Sequence, residues 1–251
     1  MKDLMDRIVA SATGGDSKKP LDDVLASYSR FGYKNFEVYM SGRGSAFDLS
    51  KGAAPYLAKG RQYGLSFPSL HLTPLTDDLE AGVALAIAEA RFAHALGASV
   101  VNYRGESKKA AIEGAKPFIE AVGSLGLTPV IQLHEGRAIG TLEDVIEVLE
   151  GIGDSRFKAL LEVGSYHALG ITWDKACKAL RDDIGLVHVK DMVGEQSVAL
   201  GKGEVDLPGL FRHMREIGYG GYYVVEIANK DAQNTNRYIG DALEYIRSNC
   251  Q

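Results

Sequence analysis

Short apolar runs rich in β-branched residues alternate with longer stretches of helical periodicity from one end of the chain to the other. The runs predict eight strands: 7–12 (RIVASA), 35–40 (NFEVYM), 65–72 (LSFPSLHL), 99–104 (SVVNYR), 128–134 (TPVIQLH), 158–164 (KALLEVG), 184–191 (IGLVHVKD) and 221–227 (GYYVVEI). Between them, LDDVLASYSRF, LEAGVALAIAEARFAHALG, TLEDVIEVLEGIG and LPGLFRHMREIG carry helical spacing. Thr141, Asp206 with Pro208, and Asp77 with Asp78 mark helix starts, because their side chains satisfy or complement free N–H groups. Five helical stretches run into a glycine before the next strand, at Gly32, Gly64, Gly97, Gly126 and Gly218, the residue suited to a left-handed cap. Strand and helix alternating in this way, without a Pro/Gly/Ser-rich linker, is the pattern of one α/β domain over residues 1–251, a single (β/α)8 TIM barrel at its usual size of about 250 residues. A doubly wound open sheet is the structural alternative, but SATGGDSKKP after the first strand lacks the spacing of a GxGxxG turn.

Strand side chains alternate faces, so Val130, Gln132 and His134 share one side of their run. A row that turns polar only at its carboxyl end suggests the rim of a site, and barrel active sites lie at that end. Five other strands end in Glu37, His71, Glu162, His188 and Glu226. One such residue is ordinarily a surface or satisfied core group; several buried together are costly without a cation or substrate to balance them. Gln132, Glu162, His188 and Glu226 come from neighbouring strands five to eight and offer two carboxylates, an imidazole and an amide oxygen. That mixed shell suits one divalent ion, manganese by first choice, with magnesium, cobalt and zinc compatible.

A formal net charge of −5 argues against sequence-independent nucleic-acid binding. Cys177 and Cys250 suggest neither a disulfide framework nor a thiolate metal cluster. MKDLMDRIVASATGG has acidic residues where a signal peptide is basic, and no run approaches the roughly 20 apolar residues of a membrane span, so a cytoplasmic chain without a membrane partner is expected.

The run VIQLHEGRAIGTLEDVIEVLE, followed by LLEVGSYHALG, GLVHVKD and GKGEVDLPGLFRHMREIGYGGYYVVEI, resembles the sugar phosphate isomerase/epimerase superfamily. These xylose isomerase-like TIM barrels include ketose 3-epimerases, hydroxypyruvate isomerases and inosose dehydratases. The resemblance covers nearly the whole chain, and HVKD, GKGEVD and GYGGYYVVEI are its most specific parts. It implies metal ligands at a Glu of Glu-Asn-His, an Asp of Asp-x-x-His, the His of His-x-Lys-Asp, and a Glu on the last strand. His188 and Glu226 keep that pattern, whereas Gln132 stands at the first Glu position and Glu162 at the Asp. The substrate-contacting His of Asp-x-x-His falls on Ser165, with His167 two residues on as a partial substitute.

The activity implied is isomerisation or epimerisation of a sugar or related small polyhydroxy carbonyl compound, by carboxylates that exchange a proton next to the carbonyl. Gln132 cannot be such a base, which leaves Glu226 as the conventional one and His134 as its understudy. Two alternatives follow: a metal-dependent lyase or dehydratase on a keto-sugar or inosose, and a non-catalytic sugar-binding or partner-binding barrel. An abasic-site endonuclease would need a trinuclear zinc site and a basic face, which six histidines on an acidic chain do not supply. Glu37, His71, His167, Lys190 and Arg137 are the expected substrate contacts, with ion pairing the competing role for Glu37 and Lys190 and Arg104 a further loop-start cation. No phosphate cradle is recognisable, and homo-oligomerisation is left open.

Overall fold

Each apolar run supplies one parallel strand, trimmed relative to its sequence signal: β1 (Ile8–Ala10), β2 (Val38–Tyr39), β3 (Ser69–His71), β4 (Val100–Asn102), β5 (Thr128–Gln132), β6 (Lys158–Glu162), β7 (Ile184–Val189) and, after a short hairpin, β10 (Tyr223–Val225). The chain is seen here in a computed structural model that describes residues 3–12, 16, 19–41, 47–181, 183–227 and 232–250. The strands run in the order β1-β10-β7-β6-β5-β4-β3-β2. The sheet then returns to its first strand, where Ala10 N donates to Asn35 O at 3.0 Å and Glu37 N to Ala10 O at 2.9 Å. The result is a TIM barrel, with helices α1 (Leu21–Phe31), α2 (Ala54–Tyr63), α3 (Leu79–Ala95), α4 (Lys108–Val122), α5 (Leu142–Ile152), α8 (Leu207–Glu216) and α9 (Ala232–Asn249) between and after the strands.

The helix boundaries follow their punctuation. Thr141 and Asp144 form a capping box at α5, while Asp206 and Asp78 accept from the N–H groups of Gly209 and Ala81. All five helix-closing glycines have positive φ. Two strand expectations are corrected. Val163 and Gly164 do not extend β6 but open the short helix α6 (Val163–Ala168), followed by α7 (Trp173–Ala179). Asp191 does not end β7; it begins a hairpin, β8 (Asp191–Val193) with β9 (Gln196–Val198).

Inside the barrel, Val9, Val100, Val130, Leu160, Leu186 and Val224 pack as a buried cluster separate from the larger core between strands and helices. They fill one layer of the barrel interior, so truncating Leu160 to Ala would cost about 2–5 kcal/mol. Side chains two residues further on point the same way. Those are Ser11, Asn102, Gln132, Glu162, His188 and Glu226, all buried. The polar tier therefore rests directly on an apolar floor.

Candidate active site

The polar tier closes into a ring of side-chain contacts. Asn102 Nδ2 donates to Gln132 Oε1 at 2.6 Å and lies 2.9 Å from His71 Nδ1. Gln132 Nε2 donates to Glu162 Oε2 at 2.9 Å. His188 Nδ1 lies 3.0 Å from Glu162 Oε2 and 3.1 Å from Glu226 Oε2, and its Nε2 lies 3.4 Å from Glu37 Oε1. Glu37 Oε2, 3.2 Å from His71 Nε2, completes the circuit. Donor and acceptor roles follow from it: an amide N–H can only donate, so His71 Nδ1 accepts and its proton sits on Nε2 toward Glu37. His188, between carboxylates on both sides, carries protons on both nitrogens when no metal is bound.

Electrostatics agree with these assignments. Burial opposes the charge on Glu37, but the facing imidazoles of His71 and His188 outweigh it and hold the carboxyl below its usual range. Burial likewise opposes the proton on His188, and Glu37 and Glu162 raise its pKa well above the ordinary imidazole value. For His71, burial prevails over Glu37 and favours the neutral ring. Burial works against the ammonium of Lys190, yet Glu162 and Glu226, each 3.1 Å away, raise its pKa. Lys190 lies against Gly164, where an added Cβ would come within 2.6 Å of its side chain.

Two trios have ligand atoms mutually within 4.8 Å: Glu162, His188 and Glu226, and Glu37, His71 and His188. In the second, each Glu37 oxygen is approached by two side chains, Ser69 (2.9 Å) and His188 at Oε1, Tyr39 (3.2 Å) and His71 at Oε2. Each trio holds one buried atom without an aligned hydrogen bond, Glu162 Oε1 beside the Lys190 ammonium and His71 Nε2 beside Glu37. Donor charge favours the first trio, which offers two carboxylates where the second offers one. At full ionisation, Glu37, Glu162 and Glu226 contribute −3, which Lys190 and a divalent ion on a neutral His188 would balance. This donor set fits such an ion.

Above the floor opens a cavity of about 670 Å³, lined among others by Gln132, Glu162, Glu226, His134, Arg104 and Arg137. His71 and Lys190 also reach its wall. Three sequence expectations are revised. Glu37 is fully buried and absent from the cavity lining; it orients His188 instead. His167 turns outward, 3.2 Å from Glu204, and Ser165 lines the cavity in its place. Gln132 turns its N–H, not its oxygen, toward the trio, because Asn102 holds the oxygen. Ligation through that oxygen would require the amide to turn over.

Asn102 was passed over in the sequence although, like Gln132, it is a polar residue ending an apolar run. Asp191, of the HVKD phrase, accepts from four backbone N–H groups: Met192 (3.0 Å), Gly201 (2.8 Å), Gly203 (2.9 Å) and Val205 (3.2 Å). HVKD and GKGEVD are thus two halves of one loop, tied beside Lys190.

A parallel α/β barrel with ligand-type side chains crowning one tier of its strands defines the class. The chain belongs to the xylose isomerase-like TIM barrel family, whose sequence profile matches residues 25–249. Among solved structures, the zinc-bound IOLI protein is similar with a TM-score of 0.77 at 16% identity, covering 97% of this chain and 98% of that one. The probable 3-DHS dehydratase AsbF of Bacillus anthracis gives 0.75 at 13%, covering 95% and 98%. D-psicose 3-epimerase of Clostridium cellulolyticum H10, solved with D-tagatose, gives 0.74 at 12%, covering 96% and 99%. These likenesses are of fold. A search of curated proteins finds no match. Among the described residues no helix is long and apolar enough to cross a membrane.

Proposed function

We propose that the chain is a metal-dependent isomerase or epimerase that takes a proton from the carbon next to the carbonyl of a sugar or related small polyhydroxy compound. The observation that carries this reading is the Glu162–His188–Glu226 trio, whose two carboxylates line the cavity. A divalent cation bound there, manganese by preference and zinc its nearest competitor, would polarise the carbonyl and stabilise charge developing on the substrate oxygens.

Glu226 is the proposed base: it lines the cavity while Lys190 and His188 fix its Oε2 at 3.1 Å. His134 is the proposed second acid–base group. Its Nδ1 lies 3.0 Å from the Glu135 carbonyl, which can only accept, so the neutral ring keeps a free lone pair on Nε2. Gln132, one tier below His134, holds Glu162 in place and exchanges no proton. That asymmetry favours a second reading, a lyase or dehydratase: Glu226 removes a proton, His134, having first taken a solvent proton on Nε2, passes it to the departing hydroxyl, and water leaves.

Metal analysis of the purified protein, followed by a panel of ketoses, inososes and 3-keto-sugars in D2O, tests both readings. Deuterium entering recovered substrate or its epimer supports isomerisation, and an unsaturated product supports elimination. A metal-free protein without exchange or elimination on any of them overturns the proposal.

A further inference from the structure

The tier above the ring contains two arginines with no carboxylate in ion-pair range among the described residues, although Glu37 and Glu89 act on Arg104 from further away. Arg104 lies two residues past Asn102, the last residue of β4, and lines the cavity. It is half-buried, one Nη donates to the Leu72 carbonyl at 3.1 Å, and its Nε is buried without a partner. Arg137, on the loop after β5, lines the same cavity and lies close enough for its like charge to act on Arg104. Burial, together with that like charge, holds the Arg104 pKa below its usual value. Among the described residues neither guanidinium has a carboxylate within 4.0 Å, although Glu106 and Glu135 line the cavity too. Lys190 differs, because Glu162 and Glu226 already neutralise it.

Burying a cation part-way without a counter-ion is unfavourable unless a ligand supplies one. A guanidinium presents a planar fork of donors that matches the paired oxygens of a carboxylate or phosphate, and two forks facing one cavity select an anion over a neutral hydroxyl. We propose that the substrate carries an anionic group, carboxylate or phosphate, which Arg104 and Arg137 hold while its hydroxyl-carbonyl portion reaches the Glu162–His188–Glu226 floor. This rests on the reading of that floor as the reaction centre and narrows its substrate class: a sugar acid or a sugar phosphate, not a free sugar.

Calorimetric titration tests it, with polyhydroxylated carboxylic acids, hexose phosphates and their neutral counterparts of equal carbon number as probes. Wild type, Arg104→Gln and Arg137→Gln would each be measured at low and high salt. An anionic probe is expected to bind the wild type at least about tenfold tighter than its neutral counterpart, the scale of a charge-assisted hydrogen bond, and to weaken as salt rises. Arg104→Gln should weaken the anionic probe more than its neutral counterpart and so shrink that margin. Should that variant unfold, exposed Arg137→Gln supplies the test, with a loss of at least about threefold for anions alone. Whichever anion binds tighter identifies the group. Equal binding of anionic and neutral probes by wild type, no binding of either, or a margin that neither substitution shrinks overturns the proposal. Metal titration of the same samples separates the two readings: failure to bind metal counts against the reaction centre, whereas an anion margin without metal still supports the arginine pair.

Discussion

Gln132 donates its amide N–H to the Glu162 carboxylate at 2.9 Å, at the point where the family pattern puts a second carboxylate. Replacing Gln132 with Glu turns that hydrogen bond into a like-charge contact between buried groups. The variant should lose about 1–3 kcal/mol of stability without metal and recover much of it when manganese is added. Thermal unfolding with chelator and with manganese measures this; the melting-temperature gain on adding metal should exceed that of wild type. The same variant should shift product from elimination toward epimerisation. Unchanged deuterium incorporation with normal metal binding would leave His134 as the better second acid–base group.

His188→Ala should abolish metal binding, because among the described residues no other imidazole reaches Glu162 and Glu226. Glu37→Gln should weaken it by about 10–100-fold without removing a ligand, since Glu37 only fixes the ring that ligates. Metal competition titrations would separate the two. Equal affinities for both variants would mean that Glu37 is no more than packing.

Glu226→Gln and His134→Asn should both lower turnover by orders of magnitude, but in different ways. Glu226 is a member of the metal trio, so its variant must be compared at saturating metal. His134 stands apart from that trio, and its variant should keep wild-type metal affinity while losing exchange. Metal loss in His134→Asn would contradict this division of roles.

Asp191→Ala should destabilise the protein by several kcal/mol, since it strips a shared acceptor from four backbone N–H groups, each costing about 1–3 kcal/mol if left buried and unpaired. Asp191→Asn, with one oxygen instead of two, should fall between. Denaturant midpoints in the order wild type, Asn, Ala check the prediction.

Asp144 gives a stability contribution with a defined pH window. Its hydrogen bond with Lys108 leads, burial opposes it as the next-largest influence, the hydrogen bonds with Gly140 and Thr141 add to the lowering, and its pKa falls to about 2. The unfolded chain titrates near 3.9. A lowered folded pKa stabilises above the unfolded value and loses that benefit as pH falls from about 4 toward about 2. The stability difference between wild type and Asp144→Asn, about 0.5–1 kcal/mol at pH 6 for so solvent-screened a group, should have fallen to a small fraction by pH 2, where the folded group is half protonated. A difference that persists undiminished there would show the carboxylate charge to be irrelevant.

The barrel was legible because its signals are local. Alternation along TPVIQ and KALLE set which face each residue takes, and five capping glycines marked returns to the sheet. Glu162, His188 and Glu226 were legible for the same reason, as ligand types at strand ends. Asn102 was not, because its value lies in standing between His71 on one neighbouring strand and Gln132 on the other. Glu37 was legible as a site residue, with substrate contact and ion pairing both open: whether a strand-end carboxylate faces the cavity or the back of an imidazole depends on packing that no single run encodes. The β8–β9 hairpin was hidden because Asp191 reads as the last residue of a strand until the four amides it gathers, one inside the hairpin and three after it, are known.

The layer formed by Val9, Val100, Val130, Leu160, Leu186 and Val224 makes the barrel a blind well. Traffic through its interior is closed at the bottom, so whatever reacts at Glu226 must leave by the opening through which it came. A product still in the well blocks the next substrate, and product inhibition should be competitive. The same dead end means that solvent protons reach the carboxylates from above only, past the bound molecule, so the occupant of the well governs how fast hydrogen is exchanged beneath it.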